Sequence, residues 1–475
     1  MNLEQRVEEL EKQLAERDQL IRELRRLLSH MEEKNQELEA KLAKDSHNSS
    51  KPPSSDGMKR RTYSKRPPST KRTGGQPGHE GHTLQRSETP DTIVTHRPEV
   101  CPECQTSLKN IPGEITETRQ VLDLPPPPQL LVTEHQVERV GCPKCGHQAT
   151  GEFPKEIAAP VQYGAEVKSQ VVYLHQSQLL PLGRTCEAME ELAGVHISER
   201  TIQAWEEEAA EQAQPTLERI REGLLSSPHM GGDETGMRIA GKLHWIHVAS
   251  TDRLTLLDWH QKRGREAMNA IGILSNYQGK MMHDRLSSYD IYPCQHRLCK
   301  AHLIRDLTYV EEVEKQKWAG KMRSCLAEMH LAAQEWAKKG MSSIPQTERT
   351  EWEYTYQTLL DEGYRQVPKQ PVPLPKKKGK VQQSKAKLLL DVLDARREQV
   401  IGFLADTTED FTNNQRERDL RMVKVKEKIS GGFRSNTGAT VFCTLRSVIS
   451  TLRKQGHQVL DGIRSLFVFT PPCLV

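Results

Sequence analysis

The stretch His229-Met230-Gly231-Gly232-Asp233-Glu234-Thr235-Gly236-Met237-Arg238-Ile239 decides how this chain is read. It runs through Met237 to Ile239 into a Gly-Lys turn, and Leu243 to Ala249 and Leu254 to Trp259 follow as two more strand-like runs. This predicts a three-strand meander with acidic residues near its start. Arg265 to Asn276 reads as a helix, and Lys280-Met281-Met282-His283-Asp284 reads as a buried strand ending on a carboxylate.

Three strands, a helix, a fourth strand, and carboxylates on the first and fourth strands are the layout of an RNase-H-like α/β core. Phosphodiester chemistry with two divalent metals needs at least three carboxylates converging from separate elements. Hard oxygen ligands suit magnesium. Asp233 and Asp284 are the first two candidates, and Glu417, in Asn413-Asn414-Gln415-Arg416-Glu417-Arg418-Asp419-Leu420-Arg421, is the third. In a helix Asn413, Glu417 and Arg421 share a face at spacings of four, and Arg416, Arg418 and Arg421 are expected at DNA phosphates. A solvated helix of mixed charge would have the same spacing, so spacing alone leaves Glu417 open.

Residues 1–45 carry a heptad repeat. Val7, Leu14, Ile21, Leu28, Asn35 and Leu42 occupy one seam position, and Leu3, Leu10, Arg17, Leu24, Met31 and Leu38 the other. Alternating steps of four and three predict a parallel two-stranded coiled coil, and hence a homodimer. A single helix packed on the body is the alternative. Residues 46–95 are a Ser/Pro/Gly-rich arm, with eight basic residues against one acidic between Lys51 and Arg72. Lys59, Arg60, Arg61, Lys65, Arg66, Lys71 and Arg72 are candidate DNA contacts, although a plain linker would look alike.

Cys101-Pro102-Glu103-Cys104 and Cys142-Pro143-Lys144-Cys145 are two Cys-x-x-Cys knuckles. Their spacing predicts a zinc ribbon over 96–155 holding one structural Zn²⁺, with strands at Thr118–Leu124 and Leu130–Val140. Residues 160–226 read as helix-turn-helix-like. The second of these helices starts at Ser198, buries Ile202 and Trp205, and turns Arg200 and Gln203 outward toward DNA; any helical hairpin would look the same. The core is assigned to 227–298 and 400–456, a mostly helical insertion with a basic Pro-rich loop to 299–399, and a C-terminal tail to 457–475. Within the insertion Trp318, Trp336 and Trp352 are read as packing residues. Cys294, His296, Cys299 and His302 are also read as packing, rather than as a second metal site.

The 475 residues exceed one compact domain, and a mean hydropathy of −0.70 with only 5% aromatic residues implies solvated helix or linker. No apolar run is long enough for a membrane span, and no secretory leader is apparent. The ten cysteines then fit a reducing cytoplasm, where paired cysteines more often bind metal than form disulfides.

Several blocks together resemble the insertion-sequence-sixty-six family of DDE transposases: Ser49 to Gly57, Gly74 to Leu84, the paired knuckles, Asp233-Glu234-Thr235 with Trp245, Asp284 with Tyr289, Cys299 to Arg305, and Asn413 to Arg421 followed by Ser430 to Ser435. The run from Phe467 to Cys473 departs from the family ending. The resemblance implies a catalytic triad of Asp233, Asp284 and Glu417 with two Mg²⁺. It also implies binding of double-stranded element ends, strand cleavage and transfer in the bacterial cytoplasm or nucleoid, and a possible need for accessory transposition proteins. The rival reading is a catalytically decayed transposase acting only as a zinc-dependent DNA-binding protein.

Overall fold

The computed structural model describes residues 3–45, 47–49, 86–123, 130–154, 156–367 and 384–468. The basic arm residues from Lys59 to Arg72, the Gly74–Leu84 stretch, the lysines at 376–380 and the end from 469 lie outside them. The chain divides into two units. One is Met1–Arg60, Thr133–Glu191 and Val195–Val475; the other is Arg61–Val132 with Leu192–Gly194.

In the larger unit, α1 (Leu3–Leu42) is one unbroken helix of 40 residues, about 60 Å long at 1.5 Å per residue. Its seam side chains Val7, Leu14, Ile21, Leu24, Leu28, Met31, Leu38 and Leu42 are 46–85% exposed. Past the helix the chain docks: Asn48 donates to Ala43 O at 2.8 Å, and His47 meets Glu312 at 3.2 Å.

Strands β1 (Arg139–Gly141) and β2 (Gln148–Thr150) form a short antiparallel pair. Helices α2 (Ala165–Val172), α3 (Leu182–Ala193), α4 (Glu199–Gln212) and α5 (Gln214–Ser226) follow. Ser198 caps α4 by accepting from Thr201 N–H at 3.1 Å, and Ile202 and Trp205 are buried, as the sequence predicts.

The main sheet consists of β3 (His229–Ile239), β4 (Lys242–Ser250), β5 (Thr255–His260), β6 (Lys280–His283) and β7 (Gln295–Leu298), in the order β5-β4-β3-β6-β7. β3, β4 and β5 pair antiparallel, and β6 and β7 join β3 in parallel. The β3–β4 turn is Ala240-Gly241, both at positive φ (48° and 77°), one residue earlier than the expected Gly-Lys turn. α6 (Arg265–Ile271) is shorter than predicted, because Gly272 at φ 78° terminates it.

Helices α7 (Lys300–Glu312), α8 (Lys317–Lys338), α9 (Gln346–Gln366), α10 (Lys385–Ala395) and α11 (Arg397–Ile401) fill the stretch between β7 and α12 (Asn414–Ser430). Their own core includes Leu307, Trp318, Met322, Leu326, Leu360, Leu390 and Phe403. Trp318 is fully buried, while Trp336 and Trp352 are partly buried and donate to Glu348. α13 (Asn436–Lys454) and α14 (Val459–Phe467) end the described chain.

Three expectations are corrected. The strands at Thr118–Leu124 and Leu130–Val140 do not form; among the described residues there, strand begins only at Arg139. The presumed tail holds α14, whose Ile463, Leu466 and Phe467 are buried and which packs on α2. The segment Val459–Phe467 is therefore core-bearing helix.

One face of the sheet is covered by α12 and α13, with Met237, Ile239 and Ile246 packed on Leu420, Val423 and Phe442. The approach is closest at Gly231, where an added Cβ would sit 2.3 Å from Arg416 Nε and 2.6 Å from Asn413 Oδ1. Gly231→Ala is therefore expected to lower stability by about 1–3 kcal/mol, the usual cost of overpacking. A shift of the urea midpoint at unchanged slope would show it; an unchanged midpoint would mean that α12 is free to move away.

Candidate active site

Side chains alternate along β3, and this separates its two acidic residues. Asp233 lies on the same face as Gly231, Met237 and Ile239, toward α12, and its Oδ1 accepts from Glu234 N–H at 2.9 Å. Glu234 lies on the other face, its side chain fully buried. There Arg263 reaches it at 2.8 Å and the Tyr289 hydroxyl donates to it at 3.0 Å. Asp284 directly follows β6, and its Oδ1 accepts from Leu286 N–H at 2.8 Å. Glu417 stands in the first turn of α12 and faces Arg305 of α7 at 3.2 Å.

These groups share one electrostatic environment. Burial, then Glu234, Asp284 and Glu417, push the Asp233 carboxyl up to about 7. Burial and Asp284 likewise raise Glu234, against the pull of Arg263. His302, one turn before Arg305, is held below its usual value by burial and by Arg305, while Glu417 and Asp284 oppose that shift. Arg305 is the only basic ion-pair partner of the three carboxylates among the described residues. Hard oxygen donors with excess negative charge are the donor type that magnesium prefers. As they stand, no three His, Cys, Asp or Glu side chains among the described residues are close enough to hold one metal together.

Two neighbours on α12 are placed differently from expectation. Arg416, expected at a DNA phosphate, is only 2% exposed; it donates to Ser250 O at 3.1 Å and to Asp410 at 2.5 Å. It is committed inside the protein. Asp419, turned away from Glu417 around the helix, is buried with Lys454 at 2.8 Å and accepts from the Ser250 hydroxyl at 2.8 Å. Helix α12 is covered on two sides, by the sheet and by the end of α13, so a residue turned away from Glu417 is not thereby in solvent. Arg418 and Arg421 are exposed. So are Arg200 and Gln203, but along their stripe of α4 lie the exposed Glu207 and Glu211, whose charge opposes a phosphate backbone.

The cysteine pairs belong to different units. In one, Cys101 N–H donates to Thr106 O at 2.9 Å, Gln105 N–H donates back to Cys101 O, and Thr106 bonds lower the Cys104 thiol. In the other, Cys142 N–H donates to His147 O and Gly146, at φ 72°, donates back to Cys142 O. Backbone groups of Cys145 and Lys144 lower the Cys142 thiol. Each is a tight turn that presents N–H groups to sulfur and favours thiolate. Of the four residues first considered for a second metal, Cys294 and Cys299 are buried and His296 bonds His283 at 3.1 Å. Sequence reasoning missed Arg263, which lies over the Trp245 ring at 4.8 Å as well as on Glu234; only the later fold brings it to β3.

The raised Asp233 value has a consequence for stability. Between the ordinary carboxyl value near 4 and about 7, the folded protein holds a proton that the unfolded chain releases. This group's contribution to stability therefore falls as pH rises through that window, and its cost is complete above 7. In magnesium-free buffer Asp233→Asn is expected to raise the melting temperature at pH 8 and to leave it nearly unchanged at pH 4. Equal effects at both pH values would show that Asp233 is not held in this crowded state.

No described helix is long and apolar enough to cross a membrane. Residues 160–441 match the family described as "Transposase IS66 family". Residues 98–146, which include all four knuckle cysteines, match "zinc-finger binding domain of transposase IS66". Residues 2–85 match a family of unknown function. No curated protein matches the chain. Among solved structures, a chain of a simian T-cell lymphotropic virus intasome in complex with a PP2A regulatory subunit is 14% identical. That match covers 34% of this chain and 62% of the other, and its TM-score of 0.14 is too low to bear on the fold. The family match spans more than half of the sequence and contains the whole sheet with its three carboxylates: the chain belongs to the IS66 family of transposases.

Proposed function

We propose that the protein is an active DDE transposase that cleaves the ends of its element and joins them to target DNA. The reading is carried by the placement of Asp284, after β6, and Glu417, in the first turn of α12, on the same side as Asp233 of β3, where both act on its carboxyl, though less than burial and Glu234 do. The strand order β5-β4-β3-β6-β7, antiparallel then parallel, supports an RNase-H-like core for 227–298 and 400–456. Helices α7 to α11 are the inserted module.

In this reading Asp233, Asp284 and Glu417 would hold two Mg²⁺. Bound there, the ions supply Lewis-acid activation of the attacking oxygen and stabilisation of the leaving 3′ oxygen. The remaining work belongs to the chain. Asp233, Asp284 and Glu417 are all partly exposed, so each keeps a route for a cation and for the DNA to reach it. Arg305 neutralises Glu417 until a cation takes its place. Arg418 and Arg421, exposed on the same helix, are positioned to meet the DNA backbone. Hydrolysis frees a 3′-hydroxyl at the element end, and that hydroxyl then displaces a 3′ oxygen of the target strand in line.

Around this core, Cys101, Cys104, Cys142 and Cys145 would bind one structural Zn²⁺ in a ribbon over 96–155 that contacts the element ends. The arm of 46–95 and the helices of 160–226 would extend the contact with double-stranded DNA. The exposed α1 seam would close as a two-stranded coiled coil and pair two protomers. Accessory transposition proteins remain compatible with this scheme, and its place of action is the bacterial cytoplasm or nucleoid.

The deciding experiment is Mg²⁺-dependent cleavage and strand transfer on duplexes carrying the element's terminal sequences. The wild-type chain is expected to cleave, and Glu417→Gln to bind the duplex but not cut it. DNA binding without cleavage by the wild type would leave the decayed, binding-only reading. For the seam, replacing Leu24 and Leu28 with Glu is expected to give monomers in sedimentation at low micromolar concentration; a persistent dimer would mean that other surfaces carry the association.

A further inference from the structure

The three carboxylates come from segments far apart in sequence, yet one chain of buried hydrogen bonds runs past all of them. Cys299, the residue before α7, donates its N–H to His283 O at 3.0 Å, one residue before Asp284. Its Sγ accepts from Asn413 N–H at 3.2 Å. Asn413, the residue before α12, donates Nδ2–H to Gly232 O at 2.8 Å, one residue before Asp233. Its carbonyl accepts from Glu417 N–H at 3.1 Å. Cys299 is 2% exposed and Asn413 is fully buried.

We propose that Cys299 and Asn413 are positioning residues that hold Asp233, Asp284 and Glu417 in mutual register for divalent-metal binding. The proposal rests on the two-metal reading above. Neither side chain touches the carboxylates; each fixes a backbone atom one residue, or one helical turn, from a carboxylate-bearing residue. Two features set this network apart from ordinary core satisfaction. A buried amide normally pairs both of its ends, but Asn413 Oδ1 has no hydrogen-bond partner. The residue is thus retained for its donor to Gly232 at the cost of an unpaired acceptor, about 1–3 kcal/mol in general. In addition, sulfur is a weak acceptor, so the Asn413–Cys299 bond contributes little stability of its own and what it offers is a fixed point between two helix starts. The longer C–S bond and larger sulfur allow contact at 3.2 Å between two helix starts that an alanine methyl would leave unbonded.

The test uses the full-length, zinc-replete protein. Mn²⁺ binding is measured by calorimetry or by loss of the free-ion paramagnetic signal, and Mg²⁺ dependence is measured in the cleavage assay. Cys299→Ala is expected to keep its circular dichroism and DNA affinity while weakening Mn²⁺ binding, and raising the Mg²⁺ needed for half-maximal cleavage, by about tenfold or more, as for other outer-shell supports of metal ligands. Cys299→Ser, which keeps an acceptor, is expected to recover part of the loss. Asn413→Ala, which cuts only the link to Gly232, is expected to show the same loss and serves if Cys299→Ala does not fold. Wild-type Mn²⁺ affinity and Mg²⁺ dependence in Cys299→Ala and Asn413→Ala would overturn the proposal. Asp233→Asn separates the two readings. If the wild type itself shows no Mn²⁺ binding that Asp233→Asn removes, the two-metal reading has failed and the positioning role falls with it.

Discussion

The close approach of α12 to β3 at Gly231 is the constraint on which the rest of the core depends. With no side chain there, Arg416 and Asn413 occupy the space where a Cβ would stand. The helix can then bring Glu417 alongside the Asp233 face of the strand. The arrangement puts a guanidinium in the interior, and an unpaired buried charge costs several kcal/mol. Asp410 and Ser250 O take up that charge, and Asp419 with Lys454 forms a second buried pair three residues along the helix. Below Gly231, Phe433 N–H bonds to Arg238 O and Ala240 N–H to Phe433 O, so the segment after α12 also lies along the end of β3. Helix, strand and return segment thus fix one another, and the register of Glu417 follows from contacts made by its neighbours.

The same closeness makes the site costly. Burial opposes the ionisation of Asp233 and Glu234, and the neighbouring carboxylates Glu234 and Asp284 add to the penalty on Asp233, as Asp284 does on Glu234. Ordinary folding would remove such a cluster or surround it with bases. Here the bases are unevenly shared. Arg263 and the Tyr289 hydroxyl serve Glu234 on the far face, and Arg305 serves Glu417. Asp233 is left with only a backbone N–H. Glu234 is thereby a structural anchor of β3, while Asp233 has no basic ion-pair partner among the described residues. Stability given up at one point for binding capacity is the usual trade at functional sites.

Much of this was legible in the sequence because it follows short-range rules. The meander shows as alternation, β6 as an apolar run ending in Asp284, and the Ser198 cap as a serine before an apolar-periodic segment. The knuckles show as spacing, and α1 as a repeat of seven. What escaped depended on contacts distant in sequence. Arg416 reads as a surface arginine until the missing Cβ of Gly231, some 185 residues earlier, provides its pocket. The burial of Asp419 depends on Lys454, which arrives from α13. Helix geometry correctly separates Asp419 from Glu417, but it says nothing of a second neighbour covering that side. The presumed tail was misread for a related reason: Ile463, Leu466 and Phe467 form an amphipathic face that needs α2, some 300 residues away, to bury it.

The hydrogen bonds at Cys299 also explain how the core tolerates more than a hundred intervening residues. The insertion leaves the sheet at Cys299 and Lys300 and returns at Phe411 to Asn413. The two ends are joined directly, Lys300 N–H to Phe411 O at 3.2 Å and Asn413 N–H to Cys299 Sγ. A segment whose ends meet can be long at little cost, since closure entropy grows only with the logarithm of length. It must, however, supply its own core, and α7 to α11 do so around Trp318 and Phe403. Lys300 ties that core to the junction. It is fully buried, its ammonium stands over the Phe403 ring at 5.1 Å with no hydrogen-bond partner, and burial lowers it to about 8. Because α7 begins at this junction and carries Arg305 to Glu417, a shift of the helical module against the sheet would reach the carboxylates through α7.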